Sequence, residues 1–134
     1  MIRTAACLTL AASLACVSAA AAPTVTVNVK SKKLLFSAAI THPAPPPVEK
    51  LHSWTVRLLD RKHAPVKRAR IKVSGDMPAH GHGLPTAPIA VERGRGLYQL
   101  QGMEFQMPGL WYVQLDVRAG ARRDSIRIRF TIPG

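Results

Sequence analysis

The chain has 134 residues, a formal net charge of +12 and a sequence pI near 10.9. Hydrophobic residues make up 47% and charged residues 19%, a globular composition that excludes a disordered chain and fits one domain. Only seven residues are acidic and two are cysteine (Cys7 and Cys16), which argues against paired-carboxylate catalysis, a cysteine zinc site and a disulfide framework.

In chain order, the first element is an address. Met1-Ile2-Arg3 is a short positive start, Thr4 to Val17 is apolar or small, and Ser18 to Ala22 is a run of small residues before Pro23. That order is a secretory signal peptide over residues 1–22, too short and alanine-rich for a membrane span. The expected product is an exported, periplasmic chain starting near Ala22 or Pro23. An alternative is a lipoprotein anchored through Cys16, although Ser13 stands where a large aliphatic residue is usual.

The body, 23–134, reads as strands. Apolar residues alternate with polar ones at Val25–Val29, Trp54–Leu58, Ile71–Val73, Tyr98–Leu100, Trp111–Val117 and Ile126–Ile132. A period of two sends one set inward and the other outward. Turn signals separate the runs at Asp60 to Pro65, Arg93 to Gly96, Pro108-Gly109 and Ala119 to Ala121. His42 to Pro47 holds four prolines and reads as a stiff connector. The expected architecture is an all-β, antiparallel sandwich of about seven strands. The outward residues Arg57, Arg68, Arg70, Lys72, Arg127 and Arg129 are basic. They serve either solubility or attraction to an anionic membrane or an acidic partner, with nucleic acid excluded for an exported chain.

One segment departs from this pattern, Asp76-Met77-Pro78-Ala79-His80-Gly81-His82-Gly83-Leu84-Pro85. Downstream, Met103 and Met107 share a face if that stretch is extended. Imidazole nitrogen and thioether sulfur are a soft donor set suited to copper, above all Cu(I). Candidate metal ligands are therefore His80, His82, Met77, Met103 and Met107. On the other reading, the histidines bind backbone groups and the methionines fill the core under Trp111. His42 and His63 are expected to be solvent-exposed, and His52 has no comparable setting. Nucleophile-elbow, His-Glu-x-x-His and phosphate-loop signatures are absent, so the chain is read as non-enzymatic.

Met77-Pro78-Ala79-His80-Gly81-His82-Gly83, then Gly96-Leu97-Tyr98, then Met107-Pro108-Gly109-Leu110-Trp111 resemble the YtkA-like family, related to the periplasmic part of FixH proteins. Asp124 and the strand after it also fit, so the resemblance spans Leu51 to Pro133. It implies a small immunoglobulin-like sandwich outside the cytoplasmic membrane. FixH relatives are associated with a copper-transporting ATPase and haem-copper oxidase assembly, and some YtkA-like domains accompany metal-efflux components. The resemblance therefore implies a copper ion as ligand and a copper-handling or envelope protein as partner. Unlike FixH proteins, this chain shows an export signal and no clear membrane anchor, which weakens any direct role in oxidase assembly.

Overall fold

A computed structural model describes residues 20–134, so the expected export signal lies almost wholly outside the described residues. Eight strands follow in order: β1 (Thr24–Lys30), β2 (Phe36–Pro43), β3 (His52–Asp60), β4 (Arg70–Asp76), β5 (Ile89–Gly94), β6 (Leu97–Met103), β7 (Gly109–Ala119) and β8 (Arg122–Ile132). Every strand pairing is antiparallel, in the order β1-β2-β3-β6-β5-β4-β7-β8. A single pair, Lys72↔Ile89, links β4 to β5. The sheet folds over at that thin seam into two layers, one of β1, β2, β3, β6 and β5, the other of β4, β7 and β8.

From β2 onward this is the strand order of a constant-type immunoglobulin domain, with four strands against three. β1 is an eighth strand added at the edge, which is why the count exceeds the expected seven. Its exposure follows from that place: Val25, expected on an inward face, is 40% exposed. The other five alternating runs bury their apolar set. Trp54, Val56 and Leu58 of β3, with Tyr98 and Leu100 beside them on β6, share one core with Trp111, Val113 and Leu115 of β7 in the other layer. In antibody domains the two facing strands here represented by β3 and β7 carry the inter-layer disulfide. This chain fills that space with Trp54 and Trp111 instead, which suits a body without cysteine.

Two strands escape the sequence pattern. In β2, Phe36, Ala38, Ile40 and His42 are the inward residues, and two of the four, Ala38 and His42, are weak hydrophobic signals. β5 is short, and Ile89 points outward at 60% exposure. The proline-rich connector starts later than expected, because β2 runs to Pro43. His42 is also corrected: it is 5% exposed, with its ring stacked on Trp54 at 4.6 Å.

The turn between β1 and β2 is tied to β8 by Asp124. Its carboxylate accepts the amides of Lys33 at 3.0 Å, Leu35 at 3.2 Å and Ser125 at 2.8 Å. Lys32 N–H donates to the Ser125 carbonyl at 2.8 Å beside it. Burial alone would raise the Asp124 carboxyl, but the Ser31 hydroxyl and these amides outweigh it and hold it below the usual carboxylate range.

Asp124→Ala is expected to cost about 2 kcal/mol in a denaturant titration, because three part-buried amides lose a charged acceptor. A depressed carboxylate contributes stability above its unfolded pKa and loses it as pH falls through the folded one. Wild type should therefore weaken as pH falls below about 4, while Asp124→Asn shows a shallower acid limb.

Candidate metal site

β4 ends at Asp76, and the chain turns back at once. Met77 N–H donates to the His82 carbonyl at 2.8 Å, and the amides of His80 and Gly81 both donate to the Met77 carbonyl at 3.0 Å. These bonds close Met77 to His82 into a tight turn. Met77 anchors it at 1% exposure, and its methyl group lies where a Cβ on Gly109 would stand. The return limb lies directly on β4: a Cβ on Gly83 would stand 2.8 Å from the Gly75 carbonyl oxygen. So the glycine after His82 is required by a close backbone approach, not by flexibility alone.

The turn brings the two imidazoles together, with ring centres 6.0 Å apart. His80 is exposed and His82 half-buried. The Gly83 carbonyl, which only accepts, lies 3.1 Å from His82 Nδ1. That contact puts the proton on Nδ1 and leaves the Nε2 lone pair free, as in metal-binding histidines whose second nitrogen is held by a carbonyl. A metal about 2 Å from each ring nitrogen places the two ring centres about 5–6 Å apart. The observed spacing lies at the upper end of that range, which suits a wide nitrogen–metal–nitrogen angle.

His82 rests edge-on against Trp111 at 5.6 Å. Trp111 is fully buried, and its indole N–H donates to the Met107 carbonyl at 3.0 Å. Met107 is therefore held beside the same indole, half-buried at the rim. Of the five candidate ligands, His80 and His82 share the turn, Met77 underlies it and Met107 flanks its Trp111 support. Met103 lies in β6, fully buried, registered against His52. Among the described residues no group of three His, Cys, Asp or Glu side chains is placed to hold a metal.

His52 and His42 lie at the same end of the sandwich, which the sequence did not reveal. Phe105 touches His52 at 5.7 Å, Trp54 at 5.8 Å and Trp111 at 5.1 Å, so aromatic contacts run from His42 to His82. His52 Nδ1 faces the Lys50 carbonyl at 2.9 Å, while its Nε2 and Trp54 Nε1 are buried without a partner. Burial lowers the His52 pKa below 6.5, outweighing the Lys50 carbonyl that favours the cation. His63 is exposed in the turn after β3, as expected.

A family model described as YtkA-like matches residues 24–116. That stretch includes the His80–His82 turn, Met103, Met107 and Trp111. Comparisons with curated proteins and with solved structures find no match.

Gly83→Ala should destabilise the fold by about 1–3 kcal/mol, because backbone opposes the new methyl group. Gly81→Ala, with open space but φ of 65°, should cost about 1 kcal/mol. Paired thermal melts check the order. A histidine with a lowered folded pKa contributes stability above its unfolded pKa and loses it as pH falls. His52→Gln should therefore flatten the stability–pH curve below about pH 6.5.

Proposed function

The chain belongs to the YtkA-like family, and we propose that it is an exported copper-binding protein that captures the ion, or hands it on, through the His80–His82 turn. The observation that carries this reading is the pair of imidazoles at 6.0 Å with the His82 proton held on Nδ1. One lone pair is thereby aimed away from the backbone, beside a second ring on an accessible turn. Met77 belongs to the same turn, and the Met107 carbonyl is bonded to the Trp111 that supports it; a thioether donor from either would favour Cu(I) over hard cations.

The electrostatics of this end agree. Its loops, 43–52, 76–88 and 103–109, hold one lysine (Lys50) against Glu49, Asp76 and Glu104. In a chain with a net charge of +12, that makes the loops of the histidine end less cationic than those of the opposite end, with Arg127 3.8 Å from Asp76. Exposure of His80 suits release as much as capture, since exchange needs an open coordination side. The FixH relation that the sequence resemblance implies is what supports a copper-handling envelope protein as recipient. No catalytic role is assigned to any residue.

Anaerobic titration with Cu(I) against a chromogenic chelator tests the reading. One-to-one binding at sub-micromolar Kd or tighter is expected, below about −8 kcal/mol. A folded His80→Ala/His82→Ala variant should lose it by at least about a hundredfold. Equal competition by that variant would remove the site.

A further inference from the structure

The end opposite the histidines has a different chemistry. Segments 30–36, 57–70, 92–97 and 116–125 meet there and carry fourteen of the nineteen Lys and Arg residues against four carboxylates. Three of those carboxylates are turned to the backbone: Asp124 to the β1–β2 turn, Asp60 to the amides of Lys62 and Ala64, and Glu92 to the amide of Arg68.

The register adds a sharper feature. Arg70 of β4 is paired with Arg118 of β7, and Arg118 is paired with Arg123 of β8. Their inward neighbours Ile71, Val117 and Asp124 are buried, so the three guanidinium groups project from one outer face, side by side. Like charges directly opposite each other on adjacent strands are destabilising. A row of three without a carboxylate in it breaks a rule that the rest of the sheet obeys: one step along, Lys72 faces Asp116. Arg68, Arg70 and Arg118 line one open recess, and Lys32, Lys33, Arg118 and Arg123 line part of the next.

An exposed apolar residue stands in the β1–β2 turn, next in sequence to Lys32 and Lys33, with its carbonyl accepting from Arg61 Nε at 3.1 Å. Leu34 is 59% exposed with φ of 60°, between Lys33 and Leu35, whose amides are both fixed on Asp124. The carboxylate that pins the turn therefore presents the leucine outward. Cations around an exposed aliphatic side chain are the pattern of a peripheral membrane contact, in which the charges meet headgroups and the apolar group enters the interface.

We propose that the arginine row, Lys32, Lys33 and Leu34 form a docking face for an anionic lipid bilayer. Docking this way relieves the repulsion in the row and turns the His80–His82 end away from the membrane. The inference does not depend on what that turn binds.

Co-sedimentation of the folded protein with phosphatidylglycerol/phosphatidylethanolamine vesicles tests it, with phosphatidylcholine vesicles as the neutral control. Binding is expected to the anionic vesicles alone and to fall with salt. An Arg70→Gln/Arg118→Gln/Arg123→Gln variant should lose about fivefold per charge removed, on the order of a hundredfold in all. Its melting temperature should hold or rise, because the repulsion is gone. Leu34→Ser should weaken vesicle binding without changing binding to polyglutamate beads. Equal sedimentation of the triple variant, or equal binding to phosphatidylcholine, would overturn the proposal. Binding to polyglutamate beads as tight as to vesicles, with no effect of Leu34→Ser, would assign the face to an acidic protein. Displacement by inorganic phosphate at matched ionic strength would assign it to a free anion.

Discussion

The geometry of the histidine turn depends on one side chain, Trp111. Its indole is fully buried, its N–H is fixed on the Met107 carbonyl, and one edge supports the His82 ring. The other side meets Phe105, which reaches Trp54 and Phe130. A turn of six residues has too few internal contacts to hold two imidazoles in place. Here it borrows rigidity from the core: Met77 anchors it from below, Trp111 from the side, and Gly83 lets it lie on β4. A site supported by strands is held more precisely than one on a free loop.

The second constraint is the division of charge between the two ends. Hydrophobic burial fixes the sandwich without reference to where the lysines and arginines lie. They could have been spread over both ends at little cost in stability. Fourteen of the nineteen are gathered instead at the Asp124 end, and His42, His52, His80 and His82 lie with Met77, Met103 and Met107 at the other. Asp124 contributes to both stories: it closes β1 and β2 onto β8, and it sets the exposed Leu34 turn. The long axis of the molecule thus separates a soft-donor end from a cationic end.

Much of the fold was legible from alternation. Trp54–Leu58, Tyr98–Leu100, Trp111–Val117 and Ile126–Ile132 bury the residues that a period of two selects, with Phe130 half-buried. β2 was hidden because Ala38 and His42 alternate with Phe36 and Ile40 at its inward positions, its outward residues include Ala39, and prolines follow. β5 was hidden because its strongest hydrophobe, Ile89, faces water. At the site, the His-Gly-His-Gly spacing flagged the turn, and the glycine after His82 is explained by the Gly75 backbone it touches. The support from Trp111 and the approach of His42 and His52 could not be read locally. They depend on register across β2, β3, β6 and β7, between residues far apart in sequence. The arginine row is invisible for the same reason: Arg70, Arg118 and Arg123 become neighbours only when three strands pair.

The central claim concerns the donors that the turn offers to a soft metal ion. X-ray absorption of the Cu(I)-loaded protein measures them directly. The account predicts two imidazole nitrogens at about 2 Å and at least one sulfur scatterer at about 2.3 Å. The imidazole signal should disappear in His80→Ala/His82→Ala. A first shell of light atoms alone, with no imidazole or sulfur contribution, would contradict it.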